Sequence, residues 1–567
     1  MARRKKEKSK IAVFDFETDP FKYGRKPEPF VAGFYDGENY HEFWGNKLVD
    51  CVDQLIDFLE NYPTPLTIYA HNGGKFDFFY LLERGKLENP ALIIHGRIVK
   101  CTIGKHELRD SYAAIPIPLK AFDKDDIDYA LMEPDVRDKH RPEISKYLKK
   151  DCTSLHSLIS EFVKRFGKKL TIGAASIAEL GKLHPVLRLS PDHDAIFRPY
   201  YFGGRVQCFE SGILPGNWKI YDVNSMYPDA MKNNIHPLGD RYITCFGDNA
   251  DQQINKRTGK LTNYSGLYFA RIIARNKGAL PVRLDKGGLD FNQTYGEFFA
   301  CSHEIEVACK LGLLKIERVL EIRIPFSFQS YDTFVETYGA EKAHWKNEGK
   351  KAKDKGDFAY EIFCKAQETF AKLILNSSYG KQGTDPTKFK DYYFLDTSDD
   401  DAIIAFEKWK SENDAAELLE DYGRFEIWQS PAPDEKGFYD VAVAASVTSA
   451  ARAKLLAAIH SSTRPIYCDT DSIICEDIGH GVPIHDSDLG AWKYEGGTDC
   501  MYIAGKKLYG CQTHDGKTKM ASKGAKLTLD DIKELCAGNV VHWKNDAPAF
   551  KLAGGHSFVE RNIRKRA

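Results

Sequence analysis

The sequence predicts an α+β fold with several domains, and three observations support this prediction. A chain of 567 residues is long enough for three or more domains, each with its own core. The first 170 residues mix strand-like runs with one long helix, which is an α/β pattern. Strongly helical segments follow at about 330–382 and 441–460, with irregular strand and helix patterns around them.

The predicted elements follow in chain order. Strand-like runs read KIAVFDFET, LTIYAHN and LIIHGRIV, and a helix is predicted from about Pro142 to Phe166. Strands and short helices alternate from about 210 to 330. The stretch 384–440 is rich in Asp, Glu, Gly and Pro and lies between two helices, which indicates an insertion rather than core. The last part of the chain, about 45 residues long, is predicted to be a small mixed module.

The composition is typical of a globular protein, with 43% apolar and 28% charged residues. No apolar run approaches the roughly 20 residues of a membrane helix and no signal peptide is recognised, so we expect a cytoplasmic protein without membrane contact. The 13 cysteines contain no CxxC pair, which argues against zinc and disulfides and for a reducing compartment. The formal charge of −1 does not exclude nucleic acid, because the distribution of charge matters more than its sum.

Two aspartates lie one residue apart in the apolar segment IYCDTDSI, residues 466–473. If this segment is one strand, its period of two places Asp469 and Asp471 on the same face. Burying two like charges without partners costs several kcal/mol. The pair therefore indicates a functional site rather than ordinary core.

A second acidic strand end occurs in YDVNSMYPDAM, residues 221–231. Carboxylates that converge without enough protein cations are commonly neutralised by Mg²⁺, and two such ions clamp the attacking and leaving oxygens of a phosphoryl transfer. We expect Asp222 and Asp471 to bind metal directly. Asp469 would be an accessory carboxylate, and the carbonyl group of Val223 would add a further oxygen.

Between these segments lies FAKLILNSSYGKQG, residues 370–383, which is predicted to be helical. Lys372, Asn376, Tyr379 and Gly380 follow at three- and four-residue spacing and share one helical face. A lysine, an amide and an aromatic ring on one face can hold a triphosphate and stack on a base. Taken alone the segment would be an amphipathic surface helix, but its position between the two acidic strands favours nucleotide binding.

Three of these segments, DVNSMYP, KLILNSSYG and YCDTDS, resemble in this order the palm and fingers motifs of family B DNA polymerases. The resemblance extends over residues 10 to about 540. It implies a right-hand polymerase with palm, fingers and thumb, which adds dNTPs to a primer 3′-hydroxyl and uses two Mg²⁺ ions per active site, with Mn²⁺ as a substitute.

The resemblance assigns dNTP contacts to five residues: Tyr227, Lys372, Asn376, Tyr379 and Lys350. Tyr227 would lie under the incoming sugar and exclude a 2′-hydroxyl, and Lys372 would bind the triphosphate. The amide and the second tyrosine would line the nascent base pair. The fifth contact is a cation on the preceding fingers helix, and the spacing does not decide between Lys350 and Lys353.

The same family carries a proofreading nuclease upstream, and matching motifs occur here. VFDFET (13–18) places two carboxylates on one strand face, AHNGGKFD (70–77) supplies an amide and a carboxylate, and YLKKD (147–151) places a tyrosine and an aspartate one helical turn apart. The carboxylates implied to form this second two-metal site are Asp15, Glu17, Asp77 and Asp151. Tyr147 would orient the attacking water.

Further motifs resemble those of the protein-primed polymerases of bacteriophages and linear plasmids. DSYAAIPIPLKAF followed by KDDID, 110–128, is similar to their exonuclease segment, in which Lys124 would assist the chemistry, while Tyr112 stands where that group usually has leucine. YFGGR (201–205) is similar to the template-binding motif between the two active sites. SVTSAAR (446–452) and KLY (507–509) are similar to motifs that contact the primer strand. The residues implied to contact DNA are Asn72, Ser111, Tyr201, Gly203, Gly204, Ser225, Thr448, Arg452, Lys507 and Tyr509.

Two long intervals complete the resemblance: about 100 residues before the fingers helix and about 55 between Lys381 and Val441. These are the positions of two insertions in protein-primed enzymes, of which the first is implied to hold a terminal protein and the second to encircle DNA. The second interval is acidic here, which weakens the expectation that it contacts phosphates directly. The expected domains are an exonuclease at 1–171, palm at 172–233, insertion 1 at 234–330, fingers at 331–383, insertion 2 at 384–440, palm at 441–522 and thumb at 523–567.

The sequence thus predicts a ribonuclease-H-like 3′–5′ exonuclease domain joined to a right-hand polymerase with two insertions. We expect it to replicate a linear phage or plasmid-like genome processively and with strand displacement, as a monomer primed by a terminal protein. Its partners would be primer-template DNA and dNTPs. One alternative is a family B polymerase that uses nucleic-acid primers or no primer. Another alternative is a DNA-binding factor with inactive catalytic sites. Both groups of carboxylates are complete, which disfavours this alternative, because burying carboxylates is costly and an inactive protein should lose them.

Overall fold

The computed structural model describes residues 9–122, 125–285, 287–431 and 438–565. Within these ranges the strands form two seven-stranded sheets, a four-stranded sheet, a three-stranded sheet and several two-stranded pairs. Lys124, which the sequence implicates in nuclease chemistry, lies outside the described residues.

A seven-stranded sheet with helices on both faces occupies the first part of the chain. Its elements are β1 (Lys10–Thr18), β2 (Pro29–Tyr35), β3 (Tyr40–Trp44), α1 (Cys51–Asn61), β4 (Leu66–Ala70), α2 (Asp77–Glu83), β5 (Glu88–Ile94), β6 (Arg97–Ile103), β7 (His106–Asp110), α3 (Ser111–Ala114) and α4 (Arg141–Phe166). The strand order is β3-β2-β1-β4-β7-β6-β5, with β1 antiparallel to β2 and parallel to β4. The run LIIHGRIV is split between two strands, because His95 and Gly96 turn the chain with positive φ.

Helix α4 packs on β1 and β2. Alternate residues of β1 are buried on opposite faces, Val13 on the α4 side and Phe14 on the side of α1 and α2. The absence of a side chain at Gly33 allows the close crossing, since a Cβ atom there would lie 2.8 Å from Leu148 Cγ. Gly33 lies on β2 and pairs with Asp15 of β1, so this contact fixes α4 beside the position that carries Asp15.

The next segment begins a second sheet. Its elements are α5 (Ile172–Leu183), β8 (Arg188–Leu189), α6 (Pro191–Phe197), β9 (Val206–Cys208), β10 (Gly212–Val223) and α7 (Met226–Asn233). Residues 234–330 then form a body with its own hydrophobic core, in which four strands pair in the order β12-β17-β13-β16. Its elements are β11 (His236–Pro237), β12 (Tyr242–Phe246), α8 (Gly247–Asp251), β13 (Phe269–Asn276), β14 (Val282–Arg283), β15 (Leu289–Asp290), β16 (Tyr295–Cys301), α9 (Ser302–Lys310), β17 (Leu314–Pro325) and β18 (Phe328–Gln329).

Two long helices pack side by side after this body: α10 (Asp332–Asp354) and α11 (Phe358–Gln382). They divide the helical segment predicted at 330–382, because Gly356 turns the chain with a φ of 70°.

The acidic stretch after α11 is folded. Its elements are β19 (Lys390–Asp396), α12 (Asp400–Ser411), β20 (Glu417–Asp421), β21 (Phe425–Pro431) and β22 (Phe438–Tyr439), and its sheet order is β19-β21-β20. Phe394 and Phe425 are buried in the core of the first sheet. The Asn89 amide also bonds the backbone of Phe394, donating to its carbonyl at 2.7 Å and accepting from its N–H at 3.1 Å. The stretch is therefore attached to the N-terminal sheet.

The remaining segment completes the second sheet. Its elements are α13 (Val441–Ser461), β23 (Tyr467–Asp469), β24 (Ser472–Cys475), β25 (Trp492–Gly505), β26 (Leu508–Gln512), β27 (Thr518–Ser522), α14 (Leu529–Cys536), β28 (Val541–Lys544), β29 (Ala549–Phe550), β30 (His556–Ser557) and β31 (Glu560–Ile563). The strand order is β27-β26-β25-β10-β24-β23-β9. Near the C-terminus, the Phe550 ring packs against Phe76, Phe79 and Tyr80 of the N-terminal body.

Among the described residues, α13 is the one helix whose length and apolar composition would suit a membrane span. In this fold 83% of its apolar window is buried inside the protein, as expected for a core helix of a large domain.

Candidate functional site

The first sheet carries an acidic cluster at the point where β1 meets α4. Asp15 and Glu17 extend from the same face of β1, and α4 brings Asp151 to them. Oxygen atoms of the three carboxylates lie within 4.8 Å of one another. Glu17 and Asp151 are buried, so the cluster concentrates negative charge in a poorly solvated place.

Asp77 begins α2 beside this cluster and is only 2% exposed. Its Oδ1 atom is buried and has no hydrogen-bond partner within the part of the chain that the structure describes. Burial and the charge of Asp15 raise the pKa of this carboxyl group well above its ordinary value. The local structure thus leaves the carboxylate short of positive charge, as expected of a cation ligand.

Tyr147 lies one helical turn before Asp151 on α4 and is buried. Burial together with the charges of Asp151 and Glu17 raises the pKa of the phenol, so it stays protonated. A protonated hydroxyl next to the carboxylates can donate a hydrogen bond to a water or to a phosphate oxygen.

Arg97 is a neighbour of this cluster that the sequence reasoning missed. Its Nη1 atom donates to Asn72 Oδ1 at 2.9 Å and also bonds the buried Asp110, and its guanidinium group lies 5.0 Å from the centre of the Tyr112 ring. It therefore orients Asn72, which adopts left-handed backbone angles. No motif spacing indicated Arg97, because it approaches from a neighbouring strand.

Ser111, for which the sequence implies a DNA contact, is buried beside the cluster. The side chain is 1% exposed, and its hydroxyl group donates to the Ala70 carbonyl at 3.2 Å and lies 3.0 Å from His71 Nδ1. Internal hydrogen bonds occupy this hydroxyl and fix the backbone beside the cluster, and its contact with DNA stays a prediction.

The second acidic site is a hairpin rather than the single strand predicted for residues 466–473. β23 ends at Asp469, Thr470 turns the chain with a φ of 61°, and β24 begins at Ser472. Asp471 therefore lies in the turn and does not share a strand face with Asp469. Its carbonyl accepts a hydrogen bond of 2.8 Å from the Val223 N–H, which brings it beside the end of β10 and Asp222.

The three aspartates of this site differ in their partners. Lys507 Nζ bonds both carboxylate oxygens of Asp469, at 2.5 and 2.7 Å. Asp222 and Asp471 form no ion pair within the described ranges. Burial and the charge of Asp471 raise the pKa of Asp222 to about 7, and burial raises the pKa of Asp471. These two carboxylates therefore lack the positive charge that Asp469 obtains from Lys507.

A cleft of about 1120 Å³ opens in front of Asp222 and Asp471, between the second sheet and the two long helices. All five residues predicted to contact dNTP line it, and so do Val223 and Ser225. The Tyr227 and Tyr379 rings stack with their centres 4.2 Å apart, which joins α7 to α11 at the cleft wall. The geometry thus brings the predicted nucleotide residues and the carboxylates into one cavity.

The wall contributed by α10 carries three lysines, Lys342, Lys346 and Lys350, at intervals of four residues. Lys353, the other candidate from the sequence, does not line this cleft as the described residues define it. Burial and the charge of Lys372 lower the pKa of Lys342, and both lysines line the cleft. Sequence reasoning missed Lys342 and Lys346, although their helical spacing was visible.

Two residues predicted to contact the primer strand are buried instead. Thr448 and Arg452 on α13 are each 2% exposed, and Arg452 is paired with Glu304. Both side chains make hydrogen bonds inside the protein, and their contact with the primer strand stays a prediction. Lys507 and Tyr509 lie beside the hairpin, where the Tyr509 ring packs 4.7 Å from that of Tyr467.

Comparison with known proteins gives this geometry a context. The chain is 41% identical to the DNA-directed DNA polymerase of Enterobacteria phage PRD1, over 99% of both chains. It is 26% identical to a probable DNA polymerase of Neurospora intermedia over 68% of this chain and 37% of that protein. Both relatives are DNA polymerases by name.

The fold matches the solved structure of Phi29 DNA polymerase complexed with primer-template DNA and incoming nucleotide substrates. The TM-score is 0.69 at 18% identity, with 99% of this chain and all of that chain covered. This match confirms the predicted fold, an exonuclease domain followed by palm, fingers and thumb. The family model described as DNA polymerase type B, organellar and viral, matches residues 122–465. The chain therefore belongs to the organellar and viral type B DNA polymerases and is a DNA-directed DNA polymerase.

Proposed function

We propose that this polymerase extends a primer at the Asp222–Asp471 site and removes mispaired 3′ ends at the Asp15–Glu17–Asp151 site. The observation that carries the proposal is that the described residues form two carboxylate groups on two separate sheets. The second group opens on a cleft that several lysines line. Two sites with different surroundings suit two reactions on one DNA strand.

Both carboxylate groups suit divalent cations, and we propose two Mg²⁺ ions in each, with Mn²⁺ as a substitute. The unpartnered oxygen of Asp77 and the raised pKa of Asp222 both indicate excess negative charge that a cation would relieve. The proposed ligands are Asp15, Glu17, Asp77 and Asp151 in one site, and Asp222, Asp471 and the Val223 carbonyl in the other. Bound ions would stabilise the negative charge of the reacting phosphate.

In the polymerase cleft the lysines of α10 and α11 would hold the triphosphate. Lys342, Lys350 and Lys372 all line the cleft, and the charge of Lys372 lowers the pKa of Lys342. The Tyr227 ring, fixed by its stack on Tyr379, would exclude a 2′-hydroxyl by steric clash. Tyr227→Val should then raise ribonucleotide incorporation while Tyr227→Phe keeps the exclusion, measured as kcat/KM ratios for rNTP and dNTP.

In the exonuclease site, protein side chains would orient the attacking water and the end of the DNA strand. Tyr147 would donate a hydrogen bond to the attacking water, because its phenol remains protonated. Asn72, fixed by Arg97, would bind the strand end. The proposed domains are an exonuclease at 1–171, palm at 172–233 and 441–522, insertions at 234–330 and 384–440, fingers at 331–383 and thumb at 523–567.

We also propose that the enzyme starts replication from a terminal protein in the host cytoplasm and displaces a strand as it moves, working as a monomer. The support is similarity to the phage PRD1 enzyme over the whole chain and the separate folded body at 234–330. That body would bind the terminal protein, and the folded stretch 384–440 would guide DNA.

The test compares primers. The purified enzyme is given a template and dNTPs with a DNA primer, an RNA primer, a candidate terminal protein or no primer. Nucleotide attachment to the terminal protein, together with DNA-primer extension, supports the proposal. Extension of nucleic-acid primers without labelling of any terminal protein would contradict protein priming and leave the polymerase assignment intact.

A further inference from the structure

A buried ion pair joins the 234–330 body to helix α13. Glu304 lies on α9 and Arg452 on α13, and each is 2% exposed. Arg452 donates twice to the carboxylate, from Nε at 2.8 Å and from Nη2 at 2.5 Å. Burying two charged side chains away from water costs free energy, even when they form a bidentate pair. The pair therefore indicates that the relative position of these two elements has to be fixed.

The remaining donor of this guanidinium group holds the loop YFGGR. Arg452 Nη1 donates to the carbonyl of Phe202 at 2.6 Å and to that of Gly203 at 2.9 Å. The loop is also held from the 234–330 body, because Arg283 Nη2 donates to the Tyr201 carbonyl at 2.6 Å. Protein donors thus fix three successive carbonyl groups of the loop.

The same loop packs against the catalytic hairpin. The Arg205 carbonyl accepts a hydrogen bond of 2.7 Å from Thr470 N–H, and a Cβ atom at Gly204 would lie 2.7 Å from the Thr470 side chain. Thr470 separates Asp469 from Asp471. The loop therefore contacts the buried ion pair on one side and Thr470, the residue that turns the hairpin, on the other.

We propose that Glu304 and Arg452 are positioning residues that fix the 201–205 loop for template binding and support the hairpin behind it. Glu304 orients the guanidinium group so that its third nitrogen faces the loop carbonyls. Because Glu304 belongs to the 234–330 body, that body takes part in DNA binding by the polymerase site as well as in any binding of its own. The inference rests on the proposed function, since it assumes that the loop contacts template.

The test uses the full chain with Arg452→Lys, Glu304→Gln and a matched control, Arg271→Lys. Lysine keeps the charge opposite Glu304 but has one nitrogen, so it does not bond the carboxylate and both carbonyls together. Arg271 pairs with Glu297 on the exposed sheet of the same body, at 2.6 and 2.9 Å, and does not contact the loop. Measurements are the Kd for primer-template DNA, degradation of a single-stranded oligonucleotide, and Tm.

We expect Arg452→Lys to weaken primer-template binding by roughly tenfold, as loss of two hydrogen bonds implies, while single-strand degradation stays at the parent rate. Glu304→Gln should weaken binding in the same direction, and Arg271→Lys should match the parent. Amide hydrogen exchange at residues 201–205 should be faster in both pair variants, which provides a readout for a variant of low Tm. Parent-like DNA binding and loop exchange in Arg452→Lys would overturn the inference. A parent enzyme that neither extends nor degrades DNA would instead overturn the proposed function.

Discussion

The two carboxylate sites differ in how the fold balances their charge. In the N-terminal site Glu17, Asp77 and Asp151 are buried between a strand and two helices, and Asp77 Oδ1 has no hydrogen-bond partner within the described ranges. In the proposed polymerase site Lys507 neutralises Asp469, and the other two aspartates line a wide cleft that several lysines also line. An enclosed site suits the end of one strand, whereas an open cationic cleft suits a triphosphate and a duplex.

The largest expected effect tests whether the two sites are separate. Asp222→Asn or Asp471→Asn should lower nucleotide addition by about 1,000-fold or more, because each removes a carboxylate that the cleft does not replace. Single-strand degradation should remain near the parent rate. Primer extension and oligonucleotide degradation are measured on the same preparation. Loss of both activities in a folded variant would mean that one site serves both reactions.

The reciprocal change addresses the enclosed site. Asp15→Ala combined with Glu17→Ala should reduce 3′–5′ degradation by about 100-fold or more while polymerisation continues. The reason is that both carboxylates belong to the three-residue cluster on β1 and α4. Degradation of a labelled single strand is the measurement, with primer extension as the control. A double variant that degrades DNA as fast as the parent would remove the nuclease assignment.

A smaller effect is expected from the lysine that the sequence reasoning missed. Lys342→Ala should raise the KM for dNTP by roughly 10- to 100-fold, as loss of one charge-assisted contact implies, with less change in kcat. Lys353→Ala is the matched control, because it lies on the same helix but outside the cleft wall as described. Single-nucleotide extension at varied dNTP gives both constants. Equal KM values for the two variants would exclude a triphosphate contact by Lys342.

The smallest effect concerns pH. Burial and the charge of Asp471 raise the pKa of Asp222 from its ordinary value to about 7, so between these two values the folded state binds more protons than the unfolded state. The stability of the metal-free protein should therefore fall as pH rises from about 4 to 7. Tm in the presence of a chelator should decrease over this range in the parent and decrease less in Asp222→Asn. Identical profiles would mean that Asp222 is not protonated in the folded state.

Short motifs were enough to find the acidic residues, because their spacing along β1, α4 and β10 is local and regular. The hairpin at Thr470 was not predicted, since the segment reads as one apolar strand and a single left-handed residue breaks it. The burial of Ser111, Thr448 and Arg452 was also missed. Ser111 and Arg452 are held by partners far along the chain, Ala70 and Glu304, and motif spacing carries no information about those partners.

The attachment of the chain's late segments to its first sheet has a consequence for synthesis. Phe394 and Phe425 are buried in the N-terminal core, as are Phe550 and Leu552. Part of the hydrophobic core around β1 and α2 therefore consists of side chains that leave the ribosome several hundred residues later. Until these later residues have been synthesised, the N-terminal sheet keeps an exposed apolar face, and such a face favours aggregation and chaperone binding. Contacts between residues so far apart in the sequence also raise the contact order. The complete enzyme should therefore fold more slowly than its separate sheets would.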